Sequence, residues 1–372
     1  MTALSGLVRA EAIRVVVPFR SPIRNSVGLW TRRDSWILRL YTASGLVGLG
    51  EAALDYGAAE AAAELARLVA GTVETMRAGA DLPTAAELEG HGEAGLALRC
   101  AIDSALLDLR RESPVAATRQ ARAVPLNATL GYRATEALVL EAMSAVAAGF
   151  GTLKLKAGPE RNTAELVERV AAVRRAVGPD VRLRLDVNGA WSSAVASKRL
   201  AALAPFRLEF VEQPVPADDP AGLAAVHRTS PVPIAADESV SSPAVARALI
   251  SADAADVLVV KPSRVGGPVA VWEIATVAAE MDVPVVVSTL FETGVGLAAA
   301  LAAAAGLPTT LGRRRAPAHG LATAELLESD LLTHRLEVSN GAMMVPEGPG
   351  LGITVDELAL RRYAVEWIGE RP

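Results

Sequence analysis

The chain has 372 residues, of which 51% are apolar and 21% charged, and its formal net charge is −5. This much hydrophobic material excludes a mainly disordered chain and suffices for two domains, or one large domain with an attachment. With no basic tail, nucleic acid is not an expected partner. The single cysteine, Cys100, excludes an internal disulfide and any zinc site built on several cysteines.

The opening segment, MTALSGLVRAEAIRVVV, lacks a basic start followed by an apolar run, so no signal peptide is expected and the reading is a cytoplasmic protein. No stretch of 18 apolar residues occurs, and the alanine-rich segment 297–305 is too short to span a bilayer, so no membrane partner is expected. Residues 7–20 and 34–41 read as strands rich in Val, Ile and aromatics. A turn at 42–45 leads to a third strand at 46–51. Residues 58–70 and 85–111 are helical by composition and period. The first part, 1–123, is therefore expected to be an α+β unit.

From Val124 the pattern changes to short strand-like runs alternating with amphipathic helices such as 164–177 and 269–280. The strand runs are 125–131, 152–158, 181–189, 208–214, 232–239, 255–263, 283–294 and 316–323. Eight strands at about 25-residue spacing predict an α/β fold, a (β/α)8-type TIM barrel over 124–329. A doubly wound open sheet is disfavoured because no glycine-rich dinucleotide fingerprint is present. The segment 330–372 leaves the barrel period and is expected to return to the N-terminal unit.

Lysine is nearly absent. Only Lys154, Lys156, Lys198 and Lys261 occur, against 33 arginines. Arginine can replace a lysine that merely solvates, but not one that must release a proton, since guanidinium stays charged. Lys198 lies in a polar helical stretch and reads as a surface residue. The other three end apolar, strand-like runs and are candidates for proton chemistry.

The charges Lys156, Asp186, Glu212, Asp237 and Lys261 end successive strands, at spacings of 30, 26, 25 and 24 residues. In a barrel, C-terminal strand ends converge on one cavity. Three converging carboxylates repel unless their pKa values rise or a cation joins them. With no His or Cys alongside, Mg²⁺ fits best and Mn²⁺ next. Lys154 shares a face with Lys156, and Asn188 with Asp186. A second ammonium beside Lys156 is expected to disfavour its charged form and suit it to act as a base. Arg182 and Arg184 fall on the same face, deeper in the barrel, with no compensating charge evident. Lysines flanking a metal site suggest proton abstraction next to a carboxylate.

The segments KLK at 154–156, DVN at 186–188, EQP at 212–214, DES at 237–239 and KPSRVGG at 261–267 together resemble the enolase superfamily, in its muconate-lactonizing branch. The resemblance covers nearly the whole chain. It implies a capping domain drawn from both chain ends, 1–123 and 330–372, over a modified barrel. It further implies Asp186, Glu212 and Asp237 as Mg²⁺ ligands, with Lys156 and Lys261 as catalytic lysines. The seventh and eighth strand ends, STLFETGVGLAAAL and HGLATAELLESDLL, are most similar to the o-succinylbenzoate synthases of menaquinone biosynthesis. The DxD motif usual on the eighth strand of dipeptide epimerases is absent.

This resemblance implies a lyase that dehydrates a cyclohexadiene carboxylate bearing a succinyl group. Lys156 would take the α-proton and Lys261 would stay cationic. Asn188 and Lys154 would support the site. Ser288, Glu292 and the amides around Gly294 would meet the substrate, the amides by holding its second carboxylate at a helix start. Cap segments 21–29 and 51–57 are expected to contact substrate too. N-succinylamino acid racemases, dipeptide epimerases and muconate cycloisomerases are the alternative isomerase readings, and a non-catalytic binding barrel is a third. A small-molecule carboxylate is the expected partner, and the sequence allows a homo-oligomer. His319, at the eighth strand, is more often structural than catalytic as a lone histidine, and Cys100 reads as core.

Overall fold

The computed structural model describes residues 6–24, 28–55, 57–110, 123–308 and 317–369. The first three strands, β1 (Leu7–Arg24), β2 (Leu29–Thr42) and β3 (Val47–Ala53), form an antiparallel meander. Gly45, at φ +83°, makes the turn between β2 and β3. The sheet is covered on both sides. Ala10, Ala12, Trp36, Leu38 and Leu40 pack on one side against α1 (Ala59–Arg77) and α3 (Gly92–Asp108), while Ile13, Val15, Val17 and Ile37 join the core shared with the barrel. This two-sided burial is why Trp36, Ile37 and Leu38 of β2 form an unbroken apolar run whose neighbours point to opposite faces yet are all buried.

The helical run at 85–111 is not one helix. A capping box between Thr84 and Glu87 starts a short α2 (Ala85–Glu89), and the chain breaks at Gly90 before α3. Helix α3 lies so close to β3 that a Cβ on Gly50 would stand 1.9 Å from the Ala101 carbonyl oxygen, and one on Gly48 2.2 Å from that of Ala105.

The barrel strands run parallel in chain order: β5 (Ala128–Leu130), β6 (Thr152–Lys156), β7 (Arg182–Asp186), β8 (Phe210–Glu212), β9 (Ile234–Ala236), β10 (Val257–Val260) and β11 (Val285–Val287). Around them lie α4 (Thr135–Ala147), α5 (Thr163–Val177), α6 (Ser193–Leu203), α7 (Pro220–Thr229), α8 (Pro243–Ser251), the short α9 (Pro262–Val265), α10 (Pro268–Glu280) and α11 (Gly294–Ala305). Side chains of Asn162, Ser192, Asp219 and Ser242 accept backbone N–H groups at the starts of α5 to α8. Phe210, Ala235, Val257, Val259 and Val286 fill the barrel interior.

Two expectations change here. The run 125–131 splits, with β4 (Ala123–Pro125) leaving the barrel to pair with β13 (Ala342–Met344), itself joined to β12 (Val338–Ser339). The eighth strand, expected at 316–323, is reduced to two parallel bridges, Leu126 with His319 and Ser288 with Gly320; residue 316 lies outside the described residues. Pro317 has no N–H to give, and Gly320 sits where a Cβ would be 2.7 Å from Ser288 Oγ. After α12 (Glu357–Tyr363), the strand β14 (Ala364–Ile368) pairs antiparallel with β1 and completes a four-stranded sheet in the order β14-β1-β2-β3. The architecture is a modified (β/α)8 barrel with a capping domain built on an antiparallel sheet.

Candidate active site

Parallel register brings the strand-end charges side by side. Lys156 is paired with Asp186, and Asp186 with Glu212, across β6, β7 and β8. Glu212 pairs with Ala235, so Asp237, two residues further, emerges on the same face, and Lys261 follows the last residue of β10. The chain then turns sharply at Asn188 (φ 48°) and Gln213 (φ 39°). Gln213 fixes the β8–β9 edge, its Oε1 accepting the N–H groups of Asp237 at 2.9 Å and Ser239 at 3.2 Å.

The five groups meet at one end of the barrel. Lys154 Nζ lies 2.9 Å from both Asp186 Oδ2 and Glu212 Oε1. Lys156 Nζ donates to Asp186 Oδ2 at 2.7 Å and to Asn188 Oδ1 at 3.0 Å. The Lys261 ammonium donates to both oxygens of Asp237, and Arg264 bridges Asp237 to Asp55 of the cap. Asn188 Nδ2 donates to Glu238 Oε1 at 3.0 Å. In this arrangement the lysines stand between the acids, and the three carboxylates do not close into a metal-coordination shell among the described residues.

The electrostatics are uneven. Burial raises the carboxyl pKa of Asp186, but Lys154 and Lys156 outweigh it and hold the group well below the usual carboxylate range. Burial acts likewise on Asp237, and Lys261 and Arg264 overcome it. Glu212 is the least compensated member: burial, and then the charge of Asp186, push it up to about 8 although Lys154 stands 2.9 Å away. Burial disfavours the ammonium of Lys154, yet Asp186, Glu212 and Asp237 keep it charged well beyond the usual lysine range. Lys154 is therefore a fixed cation rather than a proton carrier. An acid trio of hard oxygen donors, one of which resists ionisation even beside Lys154, fits a divalent cation.

A cavity of about 370 Å³ opens over these groups. Lys154, Lys156, Asp186, Asn188, Lys261 and Ser288 line it, with Glu212 and Asp237 buried behind their lysine partners. The hydroxyls of Thr129, Thr289 and Thr323 also line it, Thr129 beside Lys154 on the neighbouring strand, and Trp30 and Phe291 add aromatic surface. From the cap come Asp55, Gly57, Ala58 and Glu93; of the expected cap segments, residues 25–27 and 56 lie outside the described residues.

Two expected substrate contacts lie elsewhere. Glu292 is buried off the cavity, accepting Ser263 Oγ at 2.7 Å and the Leu290 N–H at 2.6 Å. The start of α11 is already filled: Gly294 N–H donates to the Asp330 carbonyl, and Glu51 of β3 accepts the N–H groups of Thr293 and Gly296 and the Thr293 hydroxyl. A carboxylate of the protein itself occupies the place assigned to that of a substrate. His319 is buried, and its Nδ1 accepts the Val287 N–H at 2.9 Å, a bond the missing eighth strand would otherwise make.

Sequence reasoning gave no role to Glu238, Arg264 or Thr129, and none to Trp30 and Phe291. The first two sit inside motifs already singled out, DES and KPSRVGG, so the signal was present. The compensation of Arg184 was missed too: Glu209 accepts its Nε at 2.6 Å from the neighbouring strand segment.

The family model for the enolase C-terminal domain-like fold matches residues 137–359. An o-succinylbenzoate synthase of Thermobifida fusca (strain YX) is 43% identical over 225 residues, 60% of this chain and 66% of that protein. An N-succinylamino acid racemase of Amycolatopsis sp is 32% identical over 98% of this chain and 99% of its own. Among solved structures, the dipeptide epimerase from Enterococcus faecalis V583, complexed with Mg and the dipeptide L-Leu-L-Tyr, superposes with a TM-score of 0.78 at 25% identity, covering 94% of this chain and 99% of that one.

Proposed function

The chain belongs to the enolase C-terminal domain-like family, in the muconate-lactonizing branch of the enolase superfamily, and on that premise we propose that it removes a proton α to a substrate carboxylate with the help of Mg²⁺. The observation that carries this reading is the placement of Lys156 and Lys261. They sit on β6 and after β10, half a circuit apart in an eight-membered barrel, and both face the cavity floored by the acid trio. Asp186, Glu212 and Asp237 would hold the cation. When bound, it supplies electrophilic stabilisation of the negative charge that develops on the substrate carboxylate.

The specific reaction we assign is dehydration of 2-succinyl-6-hydroxy-2,4-cyclohexadiene-1-carboxylate to o-succinylbenzoate, which makes the protein a lyase. Lys156, oriented by Asn188, takes the α-proton and returns it to the departing hydroxyl. Water leaves and the ring becomes aromatic, which makes the second step strongly downhill. Lys261 stays cationic beside the developing anion. The amides of Gly294 and Gly296 are engaged, so the succinyl carboxylate falls to neutral donors, the hydroxyls of Ser288, Thr129, Thr289 and Thr323 that line the cavity. The relatedness to the Thermobifida protein supports this choice.

The full-length similarity to the Amycolatopsis racemase favours one second reading: racemisation of an N-succinylamino acid, with both lysines exchanging protons, one on each face of the α-carbon. Purified protein with Mg²⁺ separates the two. Dehydration consumes the diene absorbance without racemising N-succinylamino acids. Racemisation in D₂O incorporates deuterium at Cα with inversion and leaves the diene untouched. Turnover of neither substrate would end both readings.

A further inference from the structure

Phe291 has φ +63°, a conformation that a bulky side chain adopts only when its surroundings impose it. It packs edge-on against Trp30 and Phe19 of the cap, with ring centroids 5.5 and 5.8 Å apart. The preceding residue, Leu290, is held at both ends of its backbone. Its N–H donates to Glu292 Oε2 at 2.6 Å, and its carbonyl accepts Arg33 Nη1 at 2.8 Å. Arg33 also donates to the carbonyls of Leu54, at 2.7 Å, and Asp34, at 2.9 Å. The other oxygen of Glu292, Oε1, accepts the hydroxyl of Ser263, two residues beyond Lys261. Arg33, Ser263 and Glu292 are all buried, and neither Arg33 nor Glu292 lines the cavity.

We propose that Glu292 and Arg33 are positioning residues. They hold Leu290 at both ends, Glu292 at its N–H and Arg33 at its carbonyl, and so fix the left-handed turn at Phe291 that follows; they also tie this wall of the cavity, and the cap strand behind it, to the segment that carries Lys261. A buried carboxylate suits the place because it accepts from both Leu290 N–H and Ser263 Oγ–H at once. Substrate pressed against the Phe291 wall is thereby held in fixed register with Lys261.

The chemistry gives a sharp discrimination between substitutions. In Glu292→Gln the amide oxygen accepts the Leu290 N–H, and the amide N–H donates to Ser263 Oγ, which can accept as well as donate. Both links survive without the charge. Glu292→Leu removes both, leaving the buried Leu290 N–H without its acceptor and the Ser263 hydroxyl with only the weak contact to Cys100 Sγ at 4.0 Å. Ser263→Ala cuts only the link to the Lys261 segment.

Hydrogen exchange read by mass spectrometry on the full chain tests the clamp without any substrate. Glu292→Leu should speed exchange at 288–293 and at 261–267 by about tenfold or more, with little change in the outer barrel helices. Glu292→Gln should restore protection, and Ser263→Ala should loosen 261–267 alone. Unchanged exchange at 288–293 in Glu292→Leu, a uniform rise over the whole chain, or a Gln variant as loose as the Leu variant would each overturn the proposal. The kinetic arm rests on the function proposed above. With the cyclohexadiene substrate, Glu292→Leu should raise KM about tenfold while kcat falls less than about threefold, and Glu292→Gln should reverse the effect. Absence of turnover by the wild-type protein would count against the assigned reaction, while the exchange experiment still decides the clamp.

Discussion

His319 gives the structure a measurable acid sensitivity. Its Nδ1 accepts the Val287 N–H, so the ring must carry its single hydrogen on Nε2 and stay neutral. Burial, and then the charge of Arg184, push its pKa from 6.5 down to about 3. The sign follows directly. Below pH 6.5 the unfolded chain takes up a proton that the folded chain refuses until about pH 3, so stability falls as the pH drops through that window. At 1.36 kcal/mol per pKa unit, the loss between pH 7.5 and pH 5 is about 2 kcal/mol. His319→Asn places an amide oxygen at the position of Nδ1, for the same N–H, but does not titrate. Urea denaturation of both proteins at several pH values should show the wild type losing about 2 kcal/mol more than the variant on acidification to pH 5. Other titrating groups, Asp103 and Glu212 among them, are common to both proteins and cancel in the comparison. Parallel stability profiles for the two proteins would refute the buried neutral imidazole and its role in closing the barrel.

Lys156→Ala should lower kcat for the dehydration by about 10²–10⁴ while circular dichroism and melting stay near those of the wild type; substantial residual turnover would remove Lys156 as the base. Chelation by EDTA should abolish activity, Mg²⁺ should restore it and Mn²⁺ should do so in part, followed by turnover and by isothermal titration of the metal into the stripped protein; activity that persists after stripping would exclude the metal from the chemistry. Gly50→Ala forces a Cβ into the Ala101 carbonyl oxygen, so a loss of roughly 1–3 kcal/mol or more is expected from thermal melting, and an unchanged melting temperature would contradict the close packing of α3 on β3.

The parts of the fold legible in the sequence were those that repeat. Strand-end charges at near-constant spacing marked the barrel period, and the scarcity of lysine singled out Lys154, Lys156 and Lys261, which the structure gathers beside Asp186, Glu212 and Asp237. What escaped depends on partners distant along the chain. The start of α11 looked open to a ligand because its capping group, Glu51, lies 242 residues before Thr293. The eighth strand looked like the other seven, yet proline and glycine leave it only two bridges and a histidine that mimics a strand bond. The run 85–111 had helical composition throughout, but a local capping box and Gly90 divided it. The short strand β14 carried no alternation strong enough to mark it and exists because β1 offers an edge.

The pairing of β14 with β1 fixes an order of events during synthesis. The meander β1–β3 is made before the barrel, but the strand that covers its edge follows more than 300 residues later. Ile13, Val15 and Val17 also have no barrel to rest on until the intervening units exist. A nascent chain must therefore carry an open, sticky β-edge through most of its elongation, and a truncated product would keep it permanently, which favours association with other chains over folding.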